Sequence, residues 1–284
     1  MSDAPIGFVG LGEMGYGMAR NLVEGGHDVL AFDLAEQPLA RLVQQGGRQA
    51  ADLAEIGATC RSVMVMVVSG QQVQDVVTSL LETMSEGSIL VHSTIALSEL
   101  RTVAAAAETR EVTVIDAPVS GGAAGAEEGT LTMLCGGDMP TFEAHRHLLE
   151  AMSSNITHLG PLGAGMVGKL ANNLILGVGR LAIAEAFAMA KSAGLSLDAL
   201  YETMVTCTAD SKQLRGLEGA LLRDAFPPRT FHGLKDLSAA VDSGRAVGQA
   251  MPVTSLVREL YALIDDKAGG LGGSDEVIRY VLDR

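Results

Sequence analysis

Residues 6 to 22 read IGFVGLGEMGYGMARNL, and this stretch decides the fold. An apolar run, Ile6 to Val9, passes directly into Gly10, Leu11, Gly12, Glu13, Met14 and Gly15, a G-x-G-x-x-G that opens an amphipathic helical pattern. Each glycine has a physical reason. One makes a tight turn, one leaves room for backbone to approach a pyrophosphate, and one lets helix and strand pack closely. The helix start then offers free N–H groups and a positive dipole end to phosphates. Glycine-rich turns are common, but this one has a strand before it, a helix behind it and an acid at the expected distance. That acid is Asp33, closing the apolar run DVLAFD. A carboxylate there accepts ribose hydroxyls and repels a 2′-phosphate, and no arginine follows immediately. The expected cofactor is therefore NAD, with NADP second. Asp28, at the other end of the run, reads as a solvated strand start.

Outward from this motif, short apolar runs alternate with helical patterns. IGFVG, DVLAFD, SVMVMVV, SILVHS, VTVIDAP and TLTMLCGG read as strands. MGYGMARNLVEGG, AEQPLARLVQQGG, QQVQDVVTSLLETM and SELRTVAAAAETR read as helices. Apolar strands without alternation, separated by helices, predict a parallel sheet covered on both faces, an α/β doubly wound domain of the Rossmann type. After about residue 160 the pattern changes to helices alone, at SLDALYETMVT, LKDLSAAVDSGRAVG, TSLVRELYALIDD and SDEVIRYVLDR. The expected division is 1–162 for dinucleotide binding and 163–284 for an all-α domain, joined by a long inter-domain helix.

Composition narrows the function. The chain has 284 residues and a formal charge of −14, which argues against nucleic acid as a partner, because phosphate backbones draw on clustered Lys and Arg. Cys60, Cys135 and Cys207 are scattered, with no disulfide framework, and fit a reducing compartment. His145 and His147 form H-x-H without a third nearby ligand, so no metal is expected. The start MSDAPIGFVG lacks a signal-peptide pattern, and no run of about 20 residues is free of charge and glycine breaks. A cytoplasmic protein with no membrane partner is the expectation.

The most informative apolar run is GAGMVGKLANNLILGVGRLAIAEAFAMA, residues 163 to 190, in which only Lys169, Arg180 and Glu185 carry charge. Lys169 and Asn173 are spaced i, i+4, and Arg180 returns to nearly the same azimuth at about 100° per residue. Such a stripe lines a wet cleft or marks the solvent side, where Lys169 would snorkel. Two other stretches complete the pattern. HSTIA ends one predicted strand and DAPVSGG another, so Thr94 and the turn Ser120-Gly121-Gly122 should face the crevice beyond the strand ends. Successive N–H groups and a serine hydroxyl there make a cup for a carboxylate.

These motifs, with FHGLKDLSAA further on, resemble the β-hydroxyacid dehydrogenase family, which includes 3-hydroxyisobutyrate dehydrogenase and tartronate semialdehyde reductase. The resemblance runs over nearly the whole chain in four ordered motifs. It implies that Lys169 is the catalytic lysine and that Asn173 helps orient substrate. It implies that Ser120, Gly121 and Gly122 hold the substrate carboxylate, that Thr94 lies near the nicotinamide, and that Lys235 contacts the cofactor. Phe231 and Asp236 match positions at the closed end of the substrate cleft. Val68 and Ser69, on the cofactor side, stand where members often carry Leu-Pro. STIALSEL lacks the usual proline, and SDEVIRY has Asp275 without the serine that often follows.

The implied reaction is hydride transfer between NAD and a small hydroxy-carboxylate, with a partly buried lysine as general acid/base. Imine reduction, oxidative decarboxylation of a sugar acid phosphate, and a non-catalytic dinucleotide-binding module are the alternatives. The lysine counts against the first and the absence of a basic cluster against the second. Gln213 and Phe231 are expected to help choose the substrate. Homodimers or homotetramers are expected through the helical half.

Overall fold

A computed structural model of the chain describes residues 4–225, 232–267 and 274–283. Contacts divide the chain into two compact units, Met1–Lys169 and Leu170–Arg284.

The first unit runs β1 (Ile6–Val9), α1 (Gly15–Glu24), β2 (Val29–Phe32), α2 (Glu36–Gln44), β3 (Arg48–Gln49), α3 (Leu53–Thr59), β4 (Ser62–Val65), α4 (Gly70–Leu81) and β5 (Gly87–Val91). It continues with α5 (Leu97–Glu108), β6 (Val112–Asp116), β7 (Val119–Ser120), α6 (Gly122–Glu128), β8 (Leu131–Gly136), α7 (Met139–Glu150), β9 (Ser153–Gly160) and the start of α8 (Ala164–Ser192). The sheet order is β3-β2-β1-β4-β5-β6-β8-β7, with β9 paired to β8. Its first six strands are parallel in the 3-2-1-4-5-6 order of dinucleotide-binding sheets. The chain crosses over between β1 and β4, so the crevice at the carboxyl ends opens beside the glycine-rich turn.

The strands are buried on both faces, as their unbroken apolar sequences require. Phe8, Met64, Leu90 and Ile115 are fully buried, and Met18 and Leu22 of α1 and Phe142 of α7 pack into the same core. Burying each such side chain contributes about 1.5–3 kcal/mol. Local caps set the helix starts. Asp52, Ser69 and Asp138 accept from the N–H of Glu55, Gln72 and Thr141, opening α3, α4 and α7.

Here the sheet departs from the sequence reading. β8 runs antiparallel to β6, meeting it at Gly136 and Asp116. The seven-residue helix α6 is too short to carry the chain back to the starting end of the strands, so β8 enters the other way. β7 and β9 also escape the reading, β7 because it is two residues long. β9, SSNITHLG, alternates polar and half-buried positions and lacks an apolar run.

The second unit holds the rest of α8 with α9 (Leu197–Met204), α10 (Lys212–Gly216), α11 (Glu218–Arg223), α12 (Gly233–Ala246), α13 (Pro252–Lys267) and α14 (Ser274–Leu282). No strand occurs among its described residues. Leu181, Leu237, Val257, Tyr261 and Ile264 form one core; Phe187, Leu214, Leu217, Leu221 and Ile278 form another.

α8 is long and apolar enough to cross a membrane by length and composition, which the sequence reading did not expect. Its faces tell a different story. Asn173 and Arg180 are buried, at 3% and 8% exposure, and Lys169 is half-buried. The opposite face carries Val167, Ala171, Ile175, Ala182, Ala186 and Met189, all exposed. The covered side thus holds Asn173 and Arg180 among the buried apolar residues Met166, Leu170, Leu181, Ala184 and Phe187, while Glu185 stands with the exposed residues.

Candidate active site

At the carboxyl end of β1 the three glycines do different work. Gly10 has φ +95°, and a Cβ there would lie 2.2 Å from the Met66 carbonyl oxygen. At Gly15 a Cβ would meet the Gly10 carbonyl oxygen at 2.0 Å, so α1 starts tight against the turn. A Cβ on Gly12 would meet nothing within 4 Å, which leaves open the approach a pyrophosphate needs. Asp33 follows β2 and turns back to this loop. Its Oδ2 accepts from the Leu11 N–H at 2.5 Å and its Oδ1 from the Ala35 N–H at 2.7 Å. The residues after it are Leu34, Ala35 and Glu36, so no cation stands there to receive a 2′-phosphate. The loop and the acid fit a dinucleotide. Glu13 and Met14 complete the loop ahead of α1. Asp28 pairs on the surface with Arg48 at 2.9 Å.

Hydrogen bonds stitch the neighbouring strand ends together. Ser93 Oγ accepts from the Val67 N–H and donates to the Val67 carbonyl, both at 2.8 Å. Val68 is exposed. The Ser69 hydroxyl caps α4, accepting from the Gln72 N–H at 3.2 Å, so it is committed to the helix start. Thr94 is half-buried just beyond β5. Ser120 ends β7, and Gly121 and Gly122 turn with φ +139° and +67° into α6. The expected cup is thus a strand-to-helix turn.

Two buried groups at these ends went unassigned in the sequence. Asp116, the last residue of β6, is fully buried; its Oδ1 accepts from the Gly163 N–H at 2.7 Å and its Oδ2 from the Met166 N–H at 2.6 Å. Burial pushes its pKa up, while those backbone donors pull it back. An acid closing an otherwise apolar strand was the available signal, because a buried carboxylate demands partners. His92, after β5, is fully buried and donates from Nδ1 to the Ala117 carbonyl at 2.8 Å. Its Nε2 is enclosed without a hydrogen-bond partner among the described residues. Burial lowers its pKa to about 4, so it is neutral. No sequence pattern announced it. Lys169 lies three residues beyond Met166, on the covered side of α8.

The second unit contains its own polar cluster. Asn173 Nδ2 donates to Asp236 Oδ2 at 2.8 Å, Asn172 Nδ2 donates to Asn173 Oδ1 at 3.0 Å, and Lys235 Nζ lies 3.3 Å from Asp236 Oδ1. Asp236 is 5% exposed, so its carboxylate holds Asn173 and Lys235 in place. Gln213 donates its amide to the Leu176 carbonyl. Phe231 lies outside the described residues. Arg215 and Arg223 pair with Asp210 and Glu218 on the surface and form no phosphate cluster.

At the amino ends of the strands, Ser62, Ser88, His27, His145 and His147 line a cavity of about 790 Å³. His145 bonds Ser62 Oγ through Nε2 at 2.9 Å and donates from Nδ1 to the Thr141 carbonyl at 2.7 Å. Among the described residues no group of three His, Cys, Asp or Glu side chains could hold a metal ion.

Comparison with known proteins agrees with this geometry. Residues 5–160 match the family model described as the NAD binding domain of 6-phosphogluconate dehydrogenase. Residues 163–281 match that described as NAD-binding of NADP-dependent 3-hydroxyisobutyrate dehydrogenase. The chain is 35% identical to the 3-hydroxyisobutyrate dehydrogenase of Pseudomonas aeruginosa, over 91% of each chain. It is also 35% identical to the NAD-dependent L-serine dehydrogenase of the same organism, again over 91% of each. The solved structure of Mycobacterium tuberculosis 3-hydroxyisobutyrate dehydrogenase with L-serine superposes with a TM-score of 0.89 at 32% identity, over 98% of this chain and 99% of that one. With a dinucleotide turn on a 3-2-1-4-5-6 sheet, a helical second half and relatives matched along nearly their full length, the chain belongs to the β-hydroxyacid dehydrogenase family.

Proposed function

We propose that this protein oxidises a small β-hydroxy acid with NAD, or reduces the corresponding carbonyl acid, using Lys169 as general acid/base. The observation that carries the reading is the polar stripe of α8, in which Lys169 is half-buried and Asn173 and Arg180 are buried among apolar side chains. A lysine on a covered stripe needs a use, since a surface helix would turn it to water. When bound, the nicotinamide supplies the hydride acceptor or donor. In oxidation the Lys169 amine takes the hydroxyl proton as hydride leaves the carbinol carbon; in reduction the ammonium returns it. Asn173, held by Asp236, orients the hydroxyl. Lys235, held by the same carboxylate, contacts the cofactor. The Ser120-Gly121-Gly122 turn offers backbone N–H groups and a hydroxyl to the carboxylate, with Thr94 near the nicotinamide.

NAD is the preferred cofactor in this reading, because Asp33 and the uncharged Leu34 and Ala35 offer nothing to a 2′-phosphate. The names of the relatives support 3-hydroxyisobutyrate and L-serine as first substrates. The bare stripe of α8, where Ile175 and Met189 are 67% and 71% exposed, favours a homo-oligomer that covers it.

A panel of β-hydroxy acids offered with NAD⁺ or NADP⁺, followed by reduced-nicotinamide absorbance, tests the whole reading. Turnover of 3-hydroxyisobutyrate or serine with NAD⁺ preferred is the expected outcome. Tight NAD binding without turnover of any acid would instead favour a binding module. Light scattering on the purified protein tests the oligomer, and a monomer would overturn it.

A further inference from the structure

We propose that Asp116 is a positioning residue for Lys169: its carboxylate fixes the first turn of α8 and thereby the reach of the amine that follows. This rests on the reading of Lys169 as the acid/base group.

The geometry is that of a clamp. Both oxygens of a fully buried carboxylate are taken by N–H groups 47 and 50 residues away, at the very start of α8. Glycines let the backbones close around it. A Cβ on Gly136 would lie 2.6 Å from Asp116 Oδ1 and 2.8 Å from the N–H nitrogens of Ala164 and Gly165. A Cβ on Gly165 would strike the Leu134 carbonyl oxygen at 2.2 Å.

Ordinary helix capping does not account for this arrangement. The chain caps α3, α4 and α7 locally, with Asp52, Ser69 and Asp138, in bonds that are solvent-exposed. α8 is preceded by Pro161-Leu162-Gly163, which has no capping side chain, and takes its cap from a buried strand end instead. A local serine at the cap would satisfy the Met166 N–H without burying a charge. The remote cap adds register. Asp116 stands four residues before Ser120 along one segment, and its partner Met166 stands three before Lys169 along the other. One carboxylate therefore sets the amine and the Ser120-Gly121-Gly122 turn in a common frame, and such frames matter because misplacement by about 1 Å costs on the order of 100-fold in rate.

The test is a double-mutant cycle on the full-length enzyme with NAD⁺ and the best acid of the panel. Asp116→Asn keeps the shape but turns an amide donor toward one of the two N–H groups. The expected result is a fall in kcat of about 10- to 100-fold with the KM for NAD unchanged. Lys169→Ala/Asp116→Asn should be no slower than Lys169→Ala alone, because Asp116 acts through the lysine. Gly136→Ala, which wedges a methyl against the carboxylate, should reproduce the kcat loss with Asp116 intact, and it decides the matter if Asp116→Asn does not fold. A folded variant with kcat within about twofold of wild type, or losses that multiply in the double variant, would overturn the proposal. Near-normal turnover in Lys169→Ala would sink the acid/base reading itself, and any Asp116→Asn loss would then have to arise by another route.

Discussion

The two ends of the same parallel strands are built differently. At the carboxyl ends, Asp33, Ser93, His92 and Asp116 each bond the backbone of another segment, across 22 to 50 residues of sequence. At the amino ends, charged side chains mostly pair with one another on the surface, as in Arg48–Asp28 and Arg61–Glu86 at 2.9 and 2.6 Å. A side chain that holds backbone fixes where N–H groups and helix starts point. A side chain paired at the surface contributes about 1 kcal/mol or less and positions little. The sheet thus has a rigid, instructed end and a tolerant one.

The largest expected effect lies at the instructed end. Lys169→Ala should lower kcat by about 10²- to 10⁴-fold while NADH still binds, as equilibrium titration of its fluorescence would verify. Near-normal turnover would erase the contrast between the two ends. Gly12→Val comes next. A Cβ there meets nothing within 4 Å in the protein, so Tm should hold while NAD binding weakens by about tenfold or more, measured by calorimetry. Undiminished NAD affinity would mean that the open space is not the nucleotide's.

His92 sharpens the comparison through pH. Its folded pKa of about 4 lies below the ordinary value of 6.5, so the unfolded chain binds a proton that the folded chain refuses between these values. The stability is complete above pH 6.5 and is lost as pH falls toward 4. At pH 5 the loss is about 2 kcal/mol relative to pH 7, and His92→Asn should remove most of it in urea titrations at the two pH values. An unchanged slope would show that His92 is not the group responsible. The smallest effect belongs to the tolerant end. Arg61→Ala should cost about 0.5 kcal/mol or less and leave kcat unaltered, by denaturation and steady-state rates.

Much of this was legible without coordinates, and the exceptions share a cause. The glycine turn, Asp33 and the alternation of strands and helices are local patterns, readable within a few residues of Gly10 or of each apolar run. The spacing of Lys169, Asn173 and Arg180 showed that they share a face of α8. It did not show which face is covered, since that depends on what packs against it. The direction of β8 followed from the shortness of α6, and β9 was hidden because an edge strand with one half-buried face needs no apolar run. The resemblance puts Asp236 at the closed end of the substrate cleft, but only the folded chain shows that its buried carboxylate bonds Asn173 and pairs with Lys235.

The sequence by itself therefore determined the α/β nucleotide-binding half, the helical half, the glycine loop with its acid, and the identity of the one lysine on the polar stripe. Tertiary structure alone decided that the stripe is the inner side of α8, that β8 runs against β6, and that Asp116 grips the start of the helix. The physical reason is range. Turns, caps and periodicity act between residues a few positions apart, whereas burial and the pairing of a buried carboxylate with amides some fifty residues away exist only once the chain has closed on itself.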